Sequence, residues 1–280
     1  MSGEEARSAA RAIVGRIGMY VFVVVVGAYF FLPMLWLLVA PFDRVPTLAA
    51  ESPQLTLENF ANVFRNPHAV RSLGNSVLLA IGTMGLVVLT AAPAAYALSR
   101  VRIPGRDLLL YLLLLFSALV TGSAAMVPLF LLIFNLGLIN SYAGVILVLA
   151  GGLLPAAIFI LKDFTDSTPT SYEESARVFG ASSFQILRDI VMPVVRPGLA
   201  VIAVWAIVNV WGNFLMPFIL LRSPDLSPAA VVMYSFYTEG GQADLRLISA
   251  FSLLYSIPVL LMYLFVHRRY GFRFYGGIKR

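Results

Sequence analysis

The residues of this chain that could do chemistry are few. The densest group lies in one polar stretch, SYEESARVFGASSFQILRDIVMPVVRPG, from Ser171 to Gly198. Catalysis is a poor match for what the chain offers. It has no cysteine, which removes thiolate metal sites, a cysteine nucleophile and a disulfide framework. Its two histidines, His68 and His267, fall on opposite sides of the expected six-span topology, which argues against a His-based metal cluster and a Ser-His-Asp triad. No G-x-S-x-G elbow occurs. A phosphate-cradling loop needs Gly-Lys-Ser/Thr at its end, and neither Lys162 nor Lys279 sits in one. If ATP drives this protein, a separate subunit binds it.

The Ser171–Gly198 stretch instead has the grammar of two short helices. Pro169 restricts what precedes it. Ser171 and Glu174 match an S-x-x-E capping box, and Ser182 and Gln185 match S-x-x-Q, which opens a second helix. Glu173 and Arg177 are spaced to pair on the exposed side of the first helix. Tyr172, Ala176 and Phe179 share a face, with Ala176 small enough for close approach. Gly180 stands where a left-handed terminator belongs. Pro193 and Pro197 are expected to end the second helix. The plain alternative is a loop that only connects two spans, but two consecutive capping boxes favour a docking element for a cytoplasmic partner.

The elements that hold this stretch are apolar. Hydrophobic residues make up 60% of the 280 and charged residues 12%, against roughly 25% in ordinary globular domains, and the mean hydropathy is +0.87. Six stretches reach the ~20 residues that a membrane-spanning helix needs, at 17–39, 76–98, 108–134, 141–161, 199–221 and 246–266. This is an all-α integral membrane protein with a 1–16 N-terminal segment, a 17–266 transmembrane domain carrying the 162–198 loop, and a 267–280 tail. The first apolar run far exceeds the roughly 7–15 residues of a signal-peptide core, and Pro41 follows its only small-residue site, so it is expected to be an uncleaved span.

Arg7, Arg11 and Arg16, then Arg100, Arg102 and Arg106, then Lys162, Arg177, Arg188 and Arg196, and finally Arg268, Arg269, Arg273, Lys279 and Arg280 all fall on one side of six spans. The positive-inside bias puts that side, and both termini, in the cytoplasm. The net charge of +6 is mostly this bias and gives no support to nucleic-acid binding. The spans hold essentially no charge, and Asp107 and Arg246 lie at their borders. That argues against a proton relay or a voltage sensor. A simple channel stays open, although a channel needs no long structured cytoplasmic loop.

EESARVFGASSFQILRDIVMP resembles the EAA loop of ABC importer permeases, with Glu174, Ala176, Gly180, Ile190 and Pro193 at the motif positions and Met192 in place of its leucine. LENFANVFRN, GNSVLLA, AAYALSRVRIPG, MVPLFLLIFNLGLINSYAGVIL, VNVWGNFLMPFIL and YGGIKR are similar to the carbohydrate, maltose-permease-like branch. The likeness runs from about Pro33 to the C-terminus. Two departures stand out: Phe179 replaces the usual acid before the loop glycine, and Trp211 is followed by Gly212 and Asn213 rather than Asn and a further polar residue.

The resemblance implies a type I ABC importer permease fold in the cytoplasmic (inner) membrane. It implies a second homologous permease, two ATPase subunits that bind the ATP and Mg, and an extracytoplasmic substrate-binding protein. It implies alternating access driven by ATPase closure, with a sugar, oligosaccharide, polyol or sugar phosphate as cargo. No cofactor is expected in this chain. Tyr172, Glu173, Glu174, Ala176, Phe179, Gly180, Ile190 and Pro193 then couple to the ATPase. Asn209, Trp211 and Asn213 are candidates for the substrate path; Asn209 and Asn213 share a helix face, with helix–helix hydrogen bonding as the alternative, and the partner permease is free to hold most sugar contacts. Tyr234, Phe236 and Tyr237 are candidates for contact with the binding protein, against a merely solvated loop. Gly276 and Gly277 match a terminus that reaches the ATPase, against a basic stop sequence.

Overall fold

A computed structural model describes residues 3–47, 52–101, 103–120, 125–237 and 243–270. Among these residues the secondary structure is helical, with two isolated β-bridges, Asp43 to Leu55 and Tyr237 to Ala243. The chain divides into two units, one of residues up to Arg65 with Tyr237–Leu254, the other of Asn66–Phe236 with the residues from Tyr255 on.

In the first unit, α1 (Gly3–Val39) runs into a 3₁₀ turn, Ala40–Phe42, and α2 (Glu58–Arg65) comes next. None of the apolar window of α1 is buried, as befits a helix whose solvent is lipid. Buried Asn59 organises the connection: its Nδ2 donates to the carbonyls of Pro41 (3.1 Å) and Asp43 (2.6 Å). Asp43 in turn accepts from the amides of Val45 and Gln54.

The second unit is built on α3 (Pro67–Arg100) and α6 (Tyr142–Asp166). Asn66 caps α3 by accepting from the amides of His68 and Ala69, with Pro67 in the first turn, where its missing N–H costs nothing. Ser141 caps α6 through the Gly144 amide. Ala80, Thr83, Val87, Ala91 and Ala95 recur every three or four residues along α3 and are buried. Small residues at this spacing let helices approach closely in a membrane, where packing and not the hydrophobic effect drives association. α3 packs chiefly on α6 and α10 (Arg196–Trp211). Gly198 permits the α6–α10 approach, since a Cβ there would lie 2.6 Å from the Phe164 ring. Pro93 and Pro155 lie inside α3 and α6, tolerated where neighbouring helices satisfy the freed backbone.

Between these helices lie α4 (Arg106–Val120) and α5 (Met126–Asn135), then α7 (Ser171–Val178), α8 (Ser183–Gln185) and α9 (Met192–Val194). After α10 come α11 (Leu215–Leu220), α12 (Ala229–Ser235) and α13 (Leu245–Tyr270), the last shared between the units. Among the described residues, four helical segments are long and apolar enough to cross a membrane: Gly15–Phe42, Pro67–Arg100, Tyr142–Asp166 and Leu245–Val266. The pair Ser183–Val194 and Arg196–Trp211, bent by 78°, makes a fifth if counted as one.

Of the expected 108–134 span, α4 and α5 are described, and 121–124 between them lie outside the described residues. One expected span differs in form. The 199–221 run breaks at 212–214. Gly212 is a weak helix former and Pro217 has no N–H to return to residue 213, so Asn213 instead caps the restart by accepting from the Met216 amide.

The start of α3 is tied to the 221–229 segment by side chains. Asn75 Nδ2 donates to the carbonyls of Asp225 and Ser227 and its Oδ1 accepts from the Tyr142 hydroxyl, while Ser76 Oγ accepts from the Ala229 amide. Asn140, at φ 58°, accepts from the amides of Arg222 and Ser223.

Candidate coupling site

α7 is a helix of eight residues, too short to stand in isolation. Its cap differs from expectation. Thr170 is the N-cap, in helical conformation and without a side-chain cap bond, so the Ser171/Glu174 box does not form. The helix is held by tertiary contact instead. Glu173 is buried, and its Oε1 accepts from Arg100 Nε at 2.6 Å while its Oε2 accepts from the Tyr96 hydroxyl at 3.0 Å. This replaces the expected exposed pairing of Glu173 with Arg177. The same guanidinium donates through Nη2 to the carbonyls of Thr165 (3.0 Å) and Thr168 (2.9 Å), at the C-terminal end of α6, and through Nη1 to Ser99 Oγ (3.2 Å). Ser99 also bonds Asp166, which pairs with Lys162 at 2.5 Å.

The end of α7 matches the sequence expectation closely. Gly180 has φ 85°, with nothing within 4 Å of a would-be Cβ. Its amide donates to the Arg177 carbonyl and that of Ala181 to the Ala176 carbonyl, the paired bonds of a Schellman terminator. Ala176 and Ala181 both pack against the core. The second capping box is complete: Gln185 Oε1 accepts from the Ser182 amide (2.8 Å), and Ser182 Oγ from the Gln185 amide (3.3 Å).

The segment after Gln185 is not a simple helix stopped by proline. Ile186–Val191 is a π-helix, and α9 continues through Pro193 to Val194 before the 78° bend. Pro193 lacks an N–H, and the wider π turn ahead of it relieves the clash of its ring with the carbonyl four residues back. Pro197 lies in the first turn of α10. Ile186 and Val191 are buried and Ile190 packs against the core. Tyr172, Glu174, Val178, Phe179 and Phe184 are exposed, Phe179 by 90%.

The other candidates are scattered. Asn209 and Asn213 line a cleft of about 160 Å³ with Val148, Leu149, Gly152, Leu153, Val210 and Met216. Asn209 Nδ2 donates to the Trp205 carbonyl one turn back. Trp211 is buried away from that cleft. It stacks on Tyr255 at 5.4 Å and donates Nε1 to the Tyr255 carbonyl, and the Tyr255 hydroxyl donates to the Trp211 carbonyl. Trp211 is thus a packing residue of α10 against α13. Phe236 is buried too, which removes it from an exposed docking tip, whereas Tyr234 is exposed beside Phe214 and Phe218, and Tyr237 is exposed. The glycine tip after Tyr237, and Gly276 and Gly277, lie outside the described residues.

Residues 13–272 match the family model described as binding-protein-dependent transport system inner membrane component. The chain belongs to this family. It is 30% identical to the maltodextrin transport system permease protein MdxG of Bacillus subtilis, over 77% of each chain. It is also 30% identical to the diacetylchitobiose uptake system permease protein NgcG of Streptomyces coelicolor, over 85% of this chain and 80% of that one. The galactooligosaccharides transport system permease protein GanQ of Bacillus subtilis gives 30% over 85% and 86%. In structure the permease resembles a chain of a bacterial ABC transporter involved in the import of the acidic polysaccharide alginate, with a TM-score of 0.77, 22% identity, and coverage of 93% of this chain and 98% of that one.

Within this binding-protein-dependent permease, Arg100 contacts the candidate site and is not among the residues expected there from the sequence. In the sequence it only adds to a basic connection, SRVRIPGRD. One signal was available: Glu173 lies three residues before inward-facing Ala176, so both share the buried face of α7.

Proposed function

We propose that this permease is the membrane subunit of an ATP-driven, binding-protein-dependent importer for an oligosaccharide, resident in the cytoplasmic membrane with six crossings and both termini inside. The 162–198 loop docks an ATPase subunit, which binds ATP and Mg, and a second permease completes the path. The observation that carries this reading is the Phe179–Gly180 turn: an exposed apolar knob, fixed by a Schellman terminator on one side and a capping box on the other. A connecting loop needs neither. The carbohydrate class rests on the relatives, which are permeases for maltodextrin, diacetylchitobiose and galactooligosaccharides. A second alginate-transporter structure, solved with a pentasaccharide-bound periplasmic protein, supports an external binding protein as partner (TM-score 0.61, 16% identity).

Mechanically, closure of two ATPases draws the docked turns together. Each turn moves its α7, and the spans go with it from inward-open to outward-open. ATP shifts this equilibrium only through contacts that differ between the two states, and the turn is where such contacts pass. Asn209 and Asn213 offer amide groups to a polyhydroxylated solute along the path.

The test is purification of the tagged chain in mild detergent. It should bring down an ATPase and a second permease, and the reconstituted complex should import maltodextrin or a related oligosaccharide only with ATP and a binding protein. Solute flux through the chain alone, without ATP, would establish a facilitator instead.

A further inference from the structure

We infer that Arg100 is a positioning residue, the joint through which movement of α7 reaches both long helices of the second unit. The inference rests on the importer reading for what the movement accomplishes; the joint itself is a property of this chain. One guanidinium ties three elements. It belongs to the last residue of α3, holds Glu173 of α7 at 2.6 Å, and takes the two carbonyls of Thr165 and Thr168 at and just beyond the last turn of α6. Only 11% of the Arg100 side chain and 3% of the Glu173 side chain are exposed.

The chemistry makes the joint stiff. Separating α7 from α3 would break a charge-assisted hydrogen bond between two side chains that are packed together, along with the Tyr96 bond to the same carboxylate. α7 therefore carries α3 and the end of α6 with it when the Phe179 turn is pulled. The Tyr96 hydroxyl fixes the second carboxylate oxygen, so Glu173 cannot swing about a single bond. Asp166, bridging Ser99 to Lys162, makes a second tie between the ends of α3 and α6. The planar fork of arginine reaches the carboxylate and both carbonyls in fixed directions, and a lysine, as a point charge, cannot hold all three.

The absence of cysteine makes the test clean. Spin labels are placed at Val178→Cys on α7 and Leu89→Cys on α3, both exposed positions. Their distance is measured in nanodiscs for the wild-type background, for Arg100→Lys and for the milder Glu173→Gln. The expected result is one narrow distribution in the wild type, unchanged by ATP in the copurified complex, and a broadened one in both variants. In the same complexes, ATP hydrolysis without sugar or binding protein should rise about fivefold or more in the variants, since the resting spans no longer restrain ATPase closure. A residue with only a folding role would lower hydrolysis together with the amount of assembled complex, and that result overturns the proposal. Unchanged distances overturn it as well, as do broadened distances with unchanged hydrolysis. If the wild-type chain brings down no ATPase, the importer reading fails by itself, and the label distances still judge the joint.

Discussion

Gly180 and Phe179 show how adjacent residues can act through different physics. At Gly180 space is free and the backbone is the constraint: φ is 85° and no atom lies near a Cβ position. Gly180→Ala should therefore cost about 1 kcal/mol of local strain, Gly180→Val more, and Gly180→Asn least, because Asn visits the left-handed region more readily. Hydrogen exchange over 171–185 in nanodiscs would rank them, and uptake should show the same order. Equal protection in all three would mean that the left-handed turn does not matter. At Phe179 the backbone is ordinary and the side chain carries the meaning. The family's acid is replaced by a ring left 90% exposed, so under the proposed function the expected docking contact is apolar. Phe179→Ala should weaken ATPase recovery by about 1.5–3 kcal/mol, the worth of burying such a ring, with membrane insertion intact. An affinity that falls steeply with added salt and ignores Phe179→Ala would show a polar interface instead.

At the scale of elements, the packing of α6 against α10 depends on one missing methyl group. A Cβ on Gly198 would sit 2.6 Å from Cγ of Phe164. Gly198→Ala should destabilise the purified permease by about 1–3 kcal/mol, the usual penalty of overpacking. Because the obstacle is a side chain, Phe164→Leu in the same molecule should recover part of the loss. Thermal unfolding of the four combinations in one detergent measures this coupling, and strict additivity would show that the two residues do not meet. Gly198 also stands three residues beyond the 78° bend at Val195.

For the molecule as a whole, the arrangement of basic residues predicts the orientation of the spans, and single cysteines in the cysteine-free chain can test it. Phe184→Cys in the coupling loop should react with a membrane-impermeant maleimide only after cells are permeabilised. Pro224→Cys, exposed in the segment tied to the start of α3, should react in intact cells. The opposite pattern would invert the topology, and equal labelling of both sites would rule out a fixed orientation. The Cys changes are safe where they fall, since both residues are exposed and neither closes a cap.

Much of this protein was legible from local signals. Long apolar runs give spans because the bilayer leaves the backbone no other partner than itself. Gly180 ends α7 and Ser182 with Gln185 begins the next helix because those interactions close within about five residues, so the chain carries them in its order. The same locality led astray where a tertiary partner outbid a near one. Glu173 sits four residues from Arg177 yet turns inward to Arg100, 73 positions away, and the Ser171 cap goes unused because α7 is held from outside. Trp211 and Phe236, suited by type to solute or partner, are core residues. Sequence by itself determined the membrane class, the family and the glycine-terminated turn, all set by composition or by contacts a few residues apart. Only the tertiary structure decided that one arginine joins α3, α6 and α7, because burial lets a distant charge win over a neighbouring one that water would screen.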